Sequence, residues 1–288
     1  MDSAPAPRGA LRRFLANRPA VAGSALVLLL ALAVLFGPLL VSAGYATQFQ
    51  GGELEAPSRA HLMGTDQLGF DVFARLLYGG RASLLIAIAA TAISLALALA
   101  VGLAAGYAGG WLDAALMRLT DTFFAFPGIL LAMALVSIRD RPSLGLVFVA
   151  LGVTGWTGLA RLVRAQVLAV REAEYVQAAR ALGLAPLRIA LRHVLPNCLG
   201  PVAVAATLAV GSNILGEAGL SFLGLGVPAP YPSWGSMLAG SRSLFGDGPW
   251  LMLVPGAAIA LAVLGFNLMG DGLRDALDPR SVESAGKS

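Results

Sequence analysis

Charged residues are scarce in this sequence. Asp, Glu, Lys and Arg make up 12% of its 288 residues, whereas soluble globular proteins carry about 25%. Hydrophobic residues make up 57%, and the mean hydropathy is +0.77. These values exclude an ordinary soluble domain and favour lipid as the surrounding solvent. The length of the chain is therefore a guide to the number of membrane spans rather than to the number of soluble domains.

Cysteine and lysine are almost absent. Cys198 is the single cysteine, which excludes a disulfide within the sequence and argues against a cysteine-rich metal cluster. The single lysine, Lys287, lies in Gly286-Lys287-Ser288. A phosphate-binding loop would need a glycine at position 281, which is Ser281, and a helix after the lysine. We therefore expect no nucleotide site, so energy for any transport comes from another subunit or an ion gradient.

Six apolar stretches predict an all-α membrane protein with six spans. A transmembrane helix needs about 20 apolar residues. A seventh uncharged stretch, 218–241, contains three prolines and five glycines, which predicts a folded loop outside the membrane rather than a regular lipid-facing helix. The two short stretches 122–138 and 142–160 have the least certain ends. The six predicted spans lie within 19–52, 82–112, 122–138, 142–160, 193–216 and 248–270.

The basic residues set the predicted orientation. Cleavage of a signal peptide at Val41-Ser42-Ala43 is an alternative for the first stretch, but its apolar core, 19–41, is longer than the 7 to 15 residues of such peptides. With an uncleaved first span, fourteen of the twenty Lys and Arg residues face inside, which predicts cytoplasmic N- and C-termini. This role in topology also accounts for the net charge of +4 better than binding to nucleic acid does. The six outside are Arg59, Arg75, Arg81, Arg139, Arg141 and Arg242.

The predicted cytoplasmic loop 161–192 contains a short capped helix. Glu172 and Glu174 suit its N-terminus, Gly183 suits the residue after its C-terminus, and Pro186 begins a second helix. An apolar stripe consists of Tyr175, Ala178, Ala179 and Leu182, and its small residues would allow close approach of a partner. On periodicity alone, a helix that packs only on its own protein remains equally possible.

Residues 174–183, followed by Arg192-His-Val-Leu-Pro-Asn197, resemble the cytoplasmic EAA loop of binding-protein-dependent ABC permeases. The resemblance implies that this helix docks in a cleft of an ATPase subunit and couples its closure to movement of the spans. Gln177 stands where the family usually has an acidic residue, so an ion pair at that position is in doubt. The implied coupling residues are Glu174, Tyr175, Gln177, Ala178, Ala179, Arg180 and Gly183.

Two external segments carry a second resemblance. His61–Gly79 reads as an amphipathic helix on the outer surface, with Asp71 and Arg75 paired across one turn and Gly79-Gly80 at its end. It resembles the smaller permease of oligopeptide, dipeptide and nickel importers, except that Phe70 replaces a common basic residue. Glu217–Gly235 is similar to that family's outer loop. The resemblance implies that these segments form an outer gate or a docking surface for the binding protein. The alternatives are a purely packing role or a re-entrant plug. The implied gate or docking residues are Asp66, Asp71, Arg75, Ser221, Phe222 and Trp234.

The resemblance as a whole implies the permease fold of a type I ABC importer in a bacterial inner membrane. It implies a second permease, two ATPase subunits that carry ATP and Mg²⁺, an extracytoplasmic binding protein and lipid as partners, and no cofactor or enzymatic activity on this chain. Peptide is the default cargo, with glutathione, nickel chelates and haem left open. The predicted units are 1–81, a tail with the first span and external segment; 82–271, a five-helix core with loops 161–192 and 217–247; and 272–288, a cytoplasmic tail.

Two other classes of protein fit the sequence less well. An ion-coupled secondary transporter or a channel would also have six spans, but it usually carries ionisable groups within them. Glu217 and Asp271 lie at span ends, and no internal repeat is evident. An intramembrane serine protease would need Ser221 and His193 within hydrogen-bonding reach. The predicted topology places these two residues on opposite sides of the membrane.

Overall fold

The computed structural model describes residues 7–41, 44, 46–47, 52–138, 143–244 and 246–277. The prediction of an all-α chain is confirmed, since the described residues form helices and, apart from one isolated bridge between Thr65 and Asp71, no β-structure. A π-helical turn, Ala190–Val194, joins α8 to α9. The helices are α1 Pro7–Ala16, α2 Arg18–Leu40, α3 Val72–Ala108, α4 Gly110–Phe124, α5 Gly128–Val136, α6 Leu144–Val170, α7 Glu174–Ala181, α8 Pro186–Ile189, α9 Leu195–Phe222, α10 Trp234–Gly240 and α11 Trp250–Leu277.

Five helical runs in the described chain are long and apolar enough to cross a membrane: α2, α3, α6, α11 and the run Pro186–Phe222. The remaining predicted span, 122–138, overlaps α4 and α5, which are bent by 82° relative to each other. The predicted stretch 122–138 is therefore not one straight helix. Pro127 disfavours helical geometry in the residue before it, and α5 begins immediately after this proline.

Small residues bring α3 and α6 together in parallel. A Cβ atom built on Gly102 would lie 2.6 Å from the carbonyl oxygen of Ala160, and one on Gly152 would lie 2.7 Å from Cβ of Ile93. Ser94 also donates a hydrogen bond to the carbonyl of Gly152 across 2.8 Å. Close backbone approach of this kind is typical of helix pairs in membranes, where association depends on packing rather than on exclusion of water.

The first and last spans pack against each other in antiparallel fashion. Gly23 of α2 lies against Leu268 of α11, and Gly272 lies against Ala20. At this end of the pair, Asn17 Nδ2 donates a hydrogen bond to Asp275 across 3.0 Å. The predicted first span is thus an integral part of the bundle. The predicted tail beyond Leu277 lies outside the described residues.

The predicted external amphipathic helix is not a separate element. Helix α3 begins at Val72 and continues without interruption to Ala108, so the predicted end at Gly79-Gly80 is wrong and the boundary after residue 81 falls inside a helix. The two glycines are contact points instead. Cβ atoms on them would lie 3.2 Å from the backbone of Ser233 and 2.4 Å from Val34, respectively.

Two predicted loops are shorter than expected. Residues 161–170 belong to α6, because Arg161 and Arg164 pair with Asp121 and Asp113 of α4 instead of ending the helix. At the other face, α9 continues to Phe222, so the first residues of the predicted loop 217–247 are helical. Gly224, at φ +82°, provides the left-handed residue that follows this helix.

Candidate functional site

The short helix α7 has the ends that its sequence predicts. It begins at Glu174 and ends at Ala181, and Gly183 adopts the left-handed conformation at φ +74°. The backbone N–H of Gly183 donates to the carbonyl of Arg180 across 2.9 Å, which closes the C-terminus. Helix α8 then begins at Pro186, as predicted. The loop 171–185 is therefore a defined structural element.

One face of α7 is buried in its own chain. Val176 is fully buried and Ala179 is 5% exposed, and both pack in a cluster with Val163, Val167 and Cys198. This cluster seats α7 on α6 and on the first turns of α9. Ala179 is thus part of the buried face with Val176 and not of an exposed row with Tyr175, so the predicted stripe of four residues does not lie on one exposed face.

An exposed row of mainly apolar side chains runs beside the buried face of α7. Tyr175 is 47% exposed and Leu182 is 81% exposed, and Ala178 lies between them in the same exposed row. Glu174 is exposed as well. Gln177 is exposed at the edge of this row, where its Nε2 donates to Glu172 across 3.2 Å. Because these side chains are exposed rather than packed in the core, the row is available for contact with a partner.

Partial burial affects the phenol of Tyr175. Burial, with a smaller contribution from Cys198, raises the pKa of Tyr175 above its ordinary value. A phenol of ordinary or raised pKa is neutral at physiological pH, so the hydroxyl of Tyr175 can donate a hydrogen bond. This property adds a polar tip to an otherwise apolar row.

Two arginines connect the α7 loop to the end of α3. Arg171 donates to the carbonyl of Gly106 across 2.7 Å, and the guanidinium of Arg180 lies 5.7 Å from the centre of the Tyr107 ring. These contacts border a cleft of about 490 Å³ lined by both arginines, Tyr107 and residues of α8. Arg180, predicted to contact an ATPase, therefore also contacts this chain. The arrangement joins the α7 loop to the C-terminal end of α3.

The outer end of α3 has a different charge arrangement from the one predicted. Arg75 pairs with Asp66 across 2.8 Å, and its guanidinium lies over the ring of Phe70 at 4.7 Å. Asp71 caps α3 by accepting from the N–H of Ala74 across 2.8 Å, and its other oxygen lies 2.9 Å from His61 Nδ1. The predicted Asp71–Arg75 pair is wrong, because Asp71 is committed to the helix N-terminus.

The other predicted outer residues lie around a buried carboxyl group. Trp234 is 1% exposed, and its indole Nε1 donates to the carbonyl of Leu76 across 3.0 Å. Ser221 donates to Glu217 across 2.7 Å, whereas Phe222 lies apart, 3.7 Å beneath the guanidinium of Arg242. Glu217 is the residue that the sequence reasoning missed. Its partner Ser83 is 134 residues away in the sequence, so no local pattern signalled this role.

Comparison with known proteins bears on the whole chain. Residues 98–283 match the family described as "Binding-protein-dependent transport system inner membrane component", and residues 8–57 match "N-terminal TM domain of oligopeptide transport permease C". This chain belongs to the binding-protein-dependent permease family. It is therefore an inner-membrane transport subunit and not an enzyme, which confirms the resemblance noted in its loops.

Similar permeases are named for peptide transport. The chain is 44% identical to the dipeptide transport system permease protein DppC of Alkalihalophilus pseudofirmus, covering 95% of this chain and 90% of the relative. It is 43% identical to the oligopeptide transport system permease protein OppC of Escherichia coli, covering 94% and 90%. The glutathione transport system permease protein GsiD of Pectobacterium atrosepticum is 42% identical, covering 93% and 89%.

A solved permease has the same fold. One chain of the MetNI methionine ABC transporter, determined in an inward-facing conformation, superposes with a TM-score of 0.56 over 71% of this permease and 96% of that chain, at 20% identity. Together with the family match, this similarity confirms the predicted ABC importer permease fold. At this level of identity, the likeness concerns architecture alone.

Proposed function

We propose that this permease pairs with a homologous second permease to form the path of an ABC importer for di- or oligopeptides. Two ATPase subunits, which carry ATP and Mg²⁺, drive the cycle, and an extracytoplasmic binding protein delivers the cargo. The observation that carries the proposal is α7, a short helix with one face fixed in its own chain and an exposed row of mainly apolar side chains beside that face.

The exposed row of α7 is suited to a protein partner. Burying a Leu side chain contributes about 1.5–3 kcal/mol relative to leaving it in water, and Leu182 is 81% exposed. The buried face prevents α7 from rolling over to hide this row. A partner that covers Tyr175, Ala178 and Leu182 therefore gains binding energy, and its movement is passed on to α6 and α9 through the Val176 cluster.

Peptide cargo is supported by the relatives. Permeases of 43–44% identity are named for dipeptide and oligopeptide transport, although one of 42% identity is named for glutathione transport. Glutathione is itself a small peptide derivative, so the three names share an amide-containing cargo. We assign the same cargo class to the complex formed by this chain.

The outer surface is assigned to delivery of the cargo. The Asp66–Arg75 pair and the Asp71–His61 contact stiffen the segment before α3, and α10 lies beside it across a pocket of about 200 Å³ lined by Asp66, Arg75 and Ser236. A shaped and rigid polar surface favours docking of a folded protein. We place the binding-protein contact here, with Ser221 and Trp234 beneath it.

The proposal is tested by co-purification of the ATPase subunits with the permease from membranes. Tyr175→Asp combined with Leu182→Asp should reduce recovery of the ATPases at least tenfold, because it places two charges in an apolar contact. Deletion of residues 174–183 should abolish recovery.

The matched control is Leu68→Asp, which places a charge at an exposed apolar residue on the outer side and should leave recovery unchanged. Membrane insertion is checked for each variant by its resistance to extraction with alkaline carbonate. Normal ATPase recovery with the inserted α7 variants would contradict the proposed docking role.

A further inference from the structure

Glu217 is a carboxylic acid buried within a membrane-spanning helix. It is 0% exposed and lies one turn before the end of α9. Ser221 donates to its Oε1 across 2.7 Å, and Ser83 of α3 donates to its Oε2 across 3.0 Å. An ionisable group is costly inside a membrane protein unless its hydrogen bonds are satisfied. Here two hydroxyl groups, one from its own helix and one from α3, serve both oxygens.

The hydrogen-bond network continues into α10. The hydroxyl of Ser83 accepts from the backbone N–H of Trp234 across 3.1 Å. The hydroxyl of Ser233, which caps α10, lies 3.4 Å from that of Ser221. A single carboxyl group therefore joins α3 and α9, and its two serine partners extend the connection to the first residues of α10.

The helices around this network approach one another at glycines. Cβ atoms on Gly79 of α3 and Gly235 of α10 would lie 3.2 Å from the backbone of Ser233 and 2.6 Å from that of Ala218 in α9, respectively. At these two glycines α10 and its N-cap make direct backbone contact with α3 and α9, and the indole of Trp234 packs beside them. Movement of α10 away from the bundle requires the Glu217 network to separate.

We propose that Glu217 is a positioning residue that holds α10 on α3 and α9 and so keeps the outer end of the transport path closed. The inference rests on the proposed transport function. Hydrogen bonds suit a reversible closure, because water replaces the protein partners when the elements separate.

The test measures access to a cysteine placed beneath α10 in the assembled permease–ATPase complex. The reporter is Ala87→Cys, a fully buried position in the cluster that contains Trp234, in a chain whose native thiol is removed by Cys198→Ala. A membrane-impermeant maleimide is added from outside, without cargo or nucleotide, and the labelling rate is recorded. Glu217→Leu should raise this rate about tenfold, equivalent to about 1.4 kcal/mol of lost closure.

The conservative variant separates positioning from simple packing. Glu217→Gln keeps one oxygen acceptor and adds an N–H donor, so its labelling rate should stay within about threefold of the parent. Thr207→Ala is the control for hydroxyl removal, because Thr207 donates to Ala203 of its own helix, and it should leave the rate unchanged.

Two outcomes would overturn the inference. One is a parental labelling rate in assembled Glu217→Leu complexes; the other is equal acceleration by Glu217→Leu and Glu217→Gln. If Glu217→Leu does not assemble, Ser83→Ala with Ser221→Ala decides, with an increase expected and an unchanged rate contradicting the proposal. Co-purification of the parent chain with the ATPases is scored separately, so failure of the transport assignment is distinguishable from failure of the closure.

Discussion

At the scale of residues, sequence spacing predicted the important side chains well. It predicted their contacts less well. Gly183 and Pro186 delimit α7 as predicted, because their conformational limits are local. Asp71 and Arg75 have the spacing of a helical pair, yet the structure gives Arg75 to Asp66. A helix N-terminus competes for the same carboxylate, and sequence spacing alone does not rank these two demands.

Glu217 shows a second limit of sequence reasoning at this scale. Its distance from the end of an apolar run resembled that of a solvated residue at a span end. Its burial depends on Ser83, which is 134 residues away, and on α10, whose placement is set by tertiary packing. A buried carboxyl with distant hydroxyl partners leaves no local pattern.

Helix α3 packs in parallel on α6 through a close approach at Gly102. Gly102→Leu should lower the midpoint of thermal unfolding of the detergent-solubilised permease by several degrees. The reason is that a Cβ atom there would lie 2.6 Å from the Ala160 carbonyl, and overpacking costs about 1–3 kcal/mol.

Gly158→Leu is the matched control, because a Cβ atom at this α6 glycine has no neighbour within 4 Å. It should unfold within about 1 °C of the parent, as expected for substitutions away from packed contacts. Equal midpoints for the two variants would show that the close approach at Gly102 does not limit stability.

At the scale of elements, uncharged stretches of sequence predict where the spans lie but not where their helices end. The stretch 142–160 was cut at Arg161, although α6 continues to Val170. Arg164 forms two hydrogen bonds of 2.6 Å with Asp113, and such bidentate pairs let a helix continue beyond the apolar region. Likewise α3 begins ten residues before the predicted span. A charge that finds a partner on another helix does not end a helix.

The end of α7 depends on the left-handed conformation of Gly183. Gly183→Val should weaken ATPase recovery about threefold or more, because a β-branched residue is strained at φ +74° by about 1–2 kcal/mol. A Cβ atom there has no neighbour within 4 Å, so strain in the backbone is the physical cause. Binding of a soluble ATPase preparation to the purified permease measures the effect.

Gly183→Asn offers an internal comparison, since asparagine tolerates the left-handed region better than valine does. It should retain most of the binding. Gly128→Val, at a glycine of ordinary φ with open space around it, should bind as the parent does. The hypothesis of an α7 end fixed by its left-handed residue fails if Val and Asn at position 183 behave alike.

At the scale of the whole molecule, contacts within the chain connect the proposed docking surface of α7 to the outer end of the bundle. Helix α7 is fixed to α6 and α9 by the Val176 cluster and to α3 by Arg171 and Arg180. Toward their other ends, α3 and α9 are joined by the hydrogen bond between Ser83 and Glu217, and Ser83 also contacts α10. The motifs in the loops indicated a partner on each side. They carried no information about the helices that connect those sides.

Arg171 is one of the residues that connect the α7 loop to α3. Arg171→Ala should leave ATPase recovery near the parental level, because Arg171 lies outside the exposed row of α7, but it should lower the amount of peptide imported per ATP hydrolysed several-fold. The lost contact is the 2.7 Å hydrogen bond to Gly106, through which movement of the loop reaches α3. Import and phosphate release are measured together in proteoliposomes that contain the complex and its binding protein.

Arg188→Ala, at an exposed arginine of the neighbouring α8, should preserve the ratio of peptide imported to ATP hydrolysed and controls for loss of a cation near the interface. A proportional fall of import and hydrolysis in Arg171→Ala would instead place the defect in ATPase docking, and the connection of the α7 loop to α3 would then have no role in coupling.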